Sequence, residues 1–348
     1  MPRVDANRYS FRGKGLHLSV LLAVAVLLGG GTAAWHISEQ SETFTYYVRN
    51  YDEVRDKTNG FSLEQVAHAE PVRIAFVGDL MLDRGIRQIA GRLGYEVFLA
   101  GIAEIAQEVD VVVGNLEGPI TTHASKSIYT DSEDGQDHFT FTFAPEVATH
   151  LASAGVSVVS LANNHALDFG AEGLVQTRAH LRDAGIGFFG DPHEPAYHIH
   201  MVEREDMTVA LVGYNQFGSP HETETREAIA RARADSDWVI VMPHWGEEYT
   251  TEITDTQYRL ARDFIEAGAD VVMGAHPHVI QRSERYQDGV VYYSLGNAVF
   301  DQWFSADVSC GLAVLVTLDP KQGVVFEERF FWSTSRGVSV VAQCPEQV

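Results

Sequence analysis

The chain has 348 residues, 45% of them hydrophobic, enough to bury the core of one large domain or two ordinary ones and to exclude disorder on a large scale. Its 25 basic residues stand against 48 acidic ones, a net charge of −23, and only four of the basic residues are Lys. That balance argues against nucleic acid and against broad adsorption to anionic lipid, both of which need a basic face.

In chain order, Gly15 to Ser38 carries no Asp, Glu, Lys or Arg. The stretch is long enough to cross a bilayer as a helix. Arg3, Arg8, Arg12 and Lys14 precede it, whereas Glu39 and Glu42 follow. The positive-inside rule then predicts a cytoplasmic tail over 1–14, a transmembrane segment over 15–38 and an extracytoplasmic remainder at the cell membrane. A cleaved signal peptide ending in Gly-Thr-Ala-Ala is the alternative. Residues 39–70 read as a stalk, Pro71 opens a domain running to about 335, and 336–348 form a C-terminal tail. The two cysteines, Cys310 and Cys344, either pair or stay free. No CxxC or Cys/His finger spacing is present, which argues against a thiolate zinc site.

After Pro71, apolar β-branched runs alternate with amphipathic stretches, the pattern of an α/β fold whose strands are buried on both faces. Helical stretches read at about 95–108, 145–154, 170–185 and 252–268, and 118–138 reads as a long polar loop. The runs end in a repeated way. VRIAFVGD closes on Asp79, VVVGNLEG carries Asn115 and Glu117, and VSVVSLANNH closes on Asn164 and His165. WVIVMPHWGEE carries His244, Glu247 and Glu248, DVVMGAHPH carries His276 and His278, and VVYYSLGN closes on Asn297. A single polar residue after a strand is ordinary. Six strand ends, each bearing a side chain able to hold a metal or to line its site, point to one place, because ligands of open α/β sheets bind beyond the carboxyl ends of the strands.

Imidazoles, carboxylates and an Asn oxygen together suit one or two divalent ions of manganese, iron or zinc rather than calcium or magnesium. Such a set can activate water against a phosphoryl or other electrophilic centre, and His165 is the candidate proton donor to a leaving group. There is no GxSxG elbow and no GxxxxGK[ST] loop, so serine-hydrolase and P-loop chemistry are unsupported. Arg84 could meet an anionic substrate or sit in a structural ion pair, Asp168 reads as a residue near a helix N-cap, and Glu247 and Glu248 could orient the histidines. Trp245 reads as packing.

The segments FVGDLMLDRGI, GNLEGPIT, FTFAPE, LANNHALDFGAEGL, MPHWGEEY, GAHPHVIQ and YSLGNAVFDQ, spanning about 74 to 302, resemble the CapA family of poly-γ-glutamate capsule biosynthesis proteins. The resemblance implies a metallophosphoesterase-like layered α/β sandwich with an N-terminal transmembrane helix. It implies Asp79, Glu117, Asn164, His244, His276 and His278 as metal ligands and His165 as the catalytic histidine, with Asn115, Arg84, Asp168, Glu247 and Asn297 around them. It also implies membrane polymer-synthase subunits and an anionic polymer such as poly-γ-glutamate as partners. Two departures from the phosphoesterase pattern stand out: Met81 where a histidine is usual, and Asn-Leu-Glu where Gly-Asp-x-x-Asp is usual. The functions in contention are polymer synthesis, export or anchoring with a metal-dependent hydrolase site, a phosphoesterase or amide hydrolase unrelated to capsule, and a non-catalytic scaffold of a synthase complex.

Overall fold

The structure, a computed structural model, describes residues 70–127, 139–204, 207–319 and 323–345. The tail over 1–14, the segment over 15–38 and the stalk apart from Glu70 therefore lie outside the described residues. Among the described residues no helix is long and apolar enough to cross a membrane.

Two sheets form the centre. The first contains β1 (Val72–Leu80), β2 (Val111–Leu116), β3 (Val156–Ser160) and β4 (Gly187–Phe189), all parallel. The short β11 (Asn297–Val299) joins β1 in parallel, and β12 (Cys310–Asp319), β13 (Gly323–Thr334) and β14 (Gly337–Val341) extend the other side as an antiparallel meander. The second sheet runs in the order β5 (Ile199–Arg204), β6 (Met207–Asn215), β7 (Trp238–His244), β8 (Val271–Met273), β10 (Gly289–Tyr292) and β9 (Ser283–Tyr286).

Alternation along the strands builds three hydrophobic layers. In β1, Val72, Ile74 and Phe76 face the second sheet, where they meet a core that includes Leu211, Ile240, Met242 and Met273. The residues between them, Ala75 and Val77, face the opposite way. There they pack under α1 (Arg84–Leu93), α2 (Glu96–Ile105), α3 (Glu146–Ser153) and α4 (Gly170–Asp183). On the far side of the second sheet, Val239 and Val241 of β7 pack under α5 (Glu222–Asp235) and α6 (Asp255–Ala267). The result is a four-layer α/β/β/α sandwich. Its central strands are apolar on both faces, as parallel strands between layers must be.

The sequence reading placed β1, β2, β3, β7 and β8 with their ligand-bearing ends; the sixth run, VVYYSLGN, stops as β10 at Tyr292, and Asn297 instead opens β11 in the other sheet. The same reading did not locate α1, α5, β6 or the meander β12–β14, and β14 lies inside the stretch 336–348 that reads as a tail. Close backbone approach fixes the strand ends. A Cβ on Gly78 would stand 1.8 Å from the Gly296 carbonyl oxygen, and one on Gly274 would stand 2.0 Å from that of Tyr293. Only glycine lets these segments touch, and the contact of Gly78 with Gly296 sets Asp79 beside Asn297.

Cys310 and Cys344 are bonded, with Cα atoms 5.9 Å apart, and the bond ties the end of the chain to the start of β12. It closes a loop of 34 residues. Loop-closure entropy puts its contribution at about 3–4 kcal/mol. Cys344→Ser should therefore lower the urea midpoint of the oxidised protein by a corresponding amount; an unchanged midpoint would show that the bond contributes nothing.

Candidate metal centre

The carboxyl ends of β1, β2, β3, β7 and β8 and the start of β11 converge on one buried cluster. Asp79, Asn115, Glu117, Asn163, His244, His276, His278 and Asn297 are all buried, Asn164 is exposed and His165 is half-buried. One ligand atom from each of Asp79, Glu117 and His278 lies within 4.8 Å of the other two. His278 Nδ1 stands 3.2 Å from Asp79 Oδ2, and its Nε2 stands 3.7 Å from Glu117 Oε1. Beside them, His244 Nε2 lies 2.8 Å from Asn164 Oδ1 and 3.1 Å from His276 Nδ1. The six residues expected as ligands thus form two adjoining trios.

The electrostatics fit a cation in the first trio. Glu117 is fully buried, and its Oε2 has no hydrogen-bond partner. Burial, then the charge of Asp79, push its carboxyl well above the usual carboxylate range. A buried carboxylate oxygen without a donor is costly, and a divalent ion is the partner that relieves it while allowing both acids to ionise. Burial first, then the neighbouring histidines, hold His244 well below the usual imidazole range and His276 at about 3. Both rings are therefore neutral at pH 7.

The local backbone is strained where these side chains are aimed. His276 and His278 have φ of 98° and 59°, and Arg84 and Tyr249 nearby have φ of 47° and 62°. Each such conformation costs about 1–3 kcal/mol in a residue with a side chain and persists only where the surroundings dictate it. The His276 amide donates to Asp79 Oδ2 at 3.2 Å, which ties the strained turn to the cluster itself.

The surrounding residues divide into those that meet the expectation and those that do not. His165 stands beside the cluster, its Nδ1 2.9 Å from Asp168 Oδ2 and its ring 4.3 Å from that of Phe141. Asp168 lies beside the N-cap of α4, as expected, but its carboxylate does not cap the helix. Phe169 precedes α4, and Asp168 instead accepts from the Phe141 amide at 2.7 Å while holding His165. Arg84 forms an ion pair with Asp301 and lies over the rings of Phe141 and Phe300 at 5.0 and 5.4 Å. Glu247 is exposed and hydrogen-bonds to none of the cluster histidines. Their orientation comes from Asn115, 3.2 Å from His244 Nδ1, and from Asn297, whose Oδ1 lies 3.0 Å from His278 Nδ1. Trp245 is fully buried and donates to the Tyr293 carbonyl at 2.8 Å, a packing residue as expected. Met81 is buried and its sulfur takes the Asp83 amide, so it is no ligand.

Sequence reading missed Asn163 and Asp83. Asn163 Nδ2 donates to Asn115 Oδ1 and to the Leu116 carbonyl. Asp83 Oδ2 accepts from Ser125 and Ser127, within the long polar loop, and from the Thr142 amide beyond it. The doubled asparagine of LANNH was the available signal for the first. Nothing in the sequence marks the second, because its partners lie about 40 to 60 residues away.

These shifts set how the metal-free protein responds to pH. A carboxyl with a raised folded pKa stabilises the fold only while protonated, so the Glu117 contribution is lost as pH rises through its raised value. A histidine with a lowered folded pKa acts at the other end. For His276, stability present above pH 6.5 is lost as pH falls toward about 3. Glu117→Gln removes the first loss, and its amide can donate to Asp79. Without metal at neutral pH, this variant should be more stable than the wild type by about 1–3 kcal/mol, the cost of an unpaired buried polar atom. Chelator-treated samples compared by thermal denaturation check this; a lower midpoint for the variant would contradict it.

Residues 73–302 match the family described as Bacterial capsule synthesis protein PGA_cap. The Capsule biosynthesis protein CapA of Bacillus anthracis is 29% identical over 253 residues, covering 67% of this chain and 61% of that one. The PGA biosynthesis protein CapA of Bacillus subtilis is 28% identical over 250 residues, covering 66% and 63%. The chain thus matches about three fifths of the length of these relatives. Among solved structures, a novel phosphatase from Mycoplasma pneumoniae aligns with 14% identity and a TM-score of 0.48, covering 75% of this chain and 93% of that one. The match over 73–302 contains every strand end of the buried cluster, and the chain belongs to the CapA-type bacterial capsule synthesis family.

Proposed function

We propose that this protein acts in the synthesis, export or anchoring of an extracellular poly-γ-glutamate-type polymer and carries a divalent-metal hydrolase site of the metallophosphoesterase type. The observation that carries the hydrolase reading is the buried carboxylate of Glu117, one oxygen partnerless, grouped with Asp79 and His278. A divalent ion held by these residues would supply Lewis-acid polarisation of a phosphoryl or carbonyl oxygen. The rest is done by the chain. Asp168 fixes the His165 ring through Nδ1, leaving Nε2 as the atom that passes a proton to a leaving group. Phe141 covers one face of that ring and Phe300 packs on His278, which limits water around both.

The polymer role rests on the family and on the names its relatives carry. In this reading residues 15–38 anchor the chain, the folded domain faces outward, and membrane synthase subunits are its partners. The net charge of −23 repels a polyanion, so in this reading contact is made only where Arg side chains or a bound metal focus local positive charge.

The test is made in the source cell and in vitro together. Deleting the gene should reduce cell-surface polymer, and the wild-type gene should restore it. A gene carrying His165→Ala should not, although the protein accumulates normally. The purified wild type should hydrolyse poly-γ-glutamate or a phosphoester only with added metal, and His165→Ala should be at least about a hundredfold slower, the scale of lost general acid catalysis. Full restoration of polymer by His165→Ala would refute a catalytic contribution, and unchanged polymer in the deletion would refute the role in polymer formation.

A further inference from the structure

The two trios differ in residue type, two carboxylates and a histidine against an amide and two histidines, and the hydrogen bonds around them prepare His278 and His244 in opposite ways. The first chain of contacts starts at a backbone amide, which can only donate. His165 N donates to Asn163 Oδ1 at 3.0 Å. Asn163 Nδ2 is thereby turned to the Leu116 carbonyl at 2.9 Å and to Asn115 Oδ1 at 3.1 Å. Asn115 must then present its Nδ2, which meets Asp79 Oδ1 at 2.8 Å and His244 Nδ1 at 3.2 Å. A donor facing Nδ1 requires a lone pair there, so the His244 proton sits on Nε2. That is the atom aimed into the trio of Asn164 and His276.

The second chain starts at a backbone carbonyl, which can only accept. Asn297 Nδ2 donates to the Val308 carbonyl and to Gln302 Oε1, both at 3.0 Å. Gln302 is itself oriented, its Nε2 donating to the Tyr249 hydroxyl at 2.9 Å. Asn297 Oδ1 is left facing His278 Nδ1 at 3.0 Å, with Asp79 Oδ2 3.2 Å from the same nitrogen. The Asn297 acceptor requires the proton on Nδ1. The lone pair of His278 is then on Nε2, the atom that faces Glu117. A metal-ligating histidine is ordinarily held in this way, with its other nitrogen donating to a fixed acceptor.

Resting on the metal-site reading above, we propose that the centre is built to hold one divalent ion firmly, at Asp79, Glu117 and His278. The Asn163–Asn115 relay keeps His244 from serving a second ion. For His244 to ligate through Nε2 its proton would have to move to Nδ1, where it would oppose the Asn115 amide donor. Asn297 is the positioning residue of the occupied trio, and Asn115 is the residue that withholds the other.

Two measurements on the purified full chain test this. Nitrogen-15 spectra of metal-free protein labelled at histidine, assigned with His244→Ala and His278→Ala, should show the Nδ1–H tautomer for His278 and the Nε2–H tautomer for His244. Equilibrium dialysis against zinc or manganese should give one ion per chain. His244→Ala should keep that ion with affinity changed less than about threefold, while Asn297→Leu should lose about tenfold to a hundredfold, the usual effect of removing a ligand's orienting partner. A native near-UV circular dichroism spectrum for Asn297→Leu, together with shifted His278 nitrogen signals, separates positioning from misfolding. Two ions bound with similar affinity, or an Nδ1–H tautomer for His244, would overturn the inference while leaving a metal hydrolase intact. Absence of any bound ion, with the expected tautomers present, would overturn both.

Discussion

The cluster is governed by one electrostatic constraint: Asp79 and Glu117 bring two carboxylates together where water cannot reach them. At a separation within 4.8 Å, two like charges repel by about 3–4 kcal/mol in an effective dielectric of roughly 20, before the cost of desolvation. The pair must share a proton or a cation, and Glu117 Oε2 has no donor to soften the choice. His244 and His276, held neutral chiefly by burial, add no positive charge to offset the pair. The region is thus an acceptor-rich pocket that destabilises the protein until a cation arrives, which is how binding sites commonly trade stability for function.

The fold is arranged to hold that unfavourable cluster in place. Parallel strands bring their carboxyl ends to one edge, and glycines at 78 and 274 let the neighbouring backbone approach within contact. The left-handed turns at His276 and His278 are costly, but Asp79 accepts from the His276 amide and Asn297 accepts from His278. Three separate hydrophobic layers surround the strands, so the framework does not depend on the cluster for its cohesion. This division explains how a destabilising centre can sit inside a stable domain.

The ligands were readable from sequence because each follows a short β-branched run, and a buried strand leaves a plain signature. The structure gathers Asp79, Glu117, Asn164, His244, His276 and His278 from such ends because the strands run parallel within each of two facing sheets, β1–β3 in one and β7–β8 in the other. What was not readable is governed by contacts distant in sequence. Asp168 sits where a cap residue would, yet His165 and the Phe141 amide take its carboxylate. Glu247 follows a ligand closely but points to solvent, whereas Asn115 and Asn297 come from other strands to orient the rings. α5 is too charged and α1 too close to a ligand motif to stand out as amphipathic helices. β6 is apolar but its end, Asn215, has no histidine or carboxylate beside it, and the meander β12–β14 lies beyond the last motif.

The most direct measure of the central claim is calorimetric titration of manganese or zinc into metal-free protein, repeated across pH and in two buffers of different ionisation enthalpy. A cation that replaces the proton on Glu117 must release it, so affinity should rise with pH until Glu117 ionises unaided, and the two buffers should reveal a proton expelled below that point. Binding that is independent of pH and expels no proton, or no binding at all, would contradict the account.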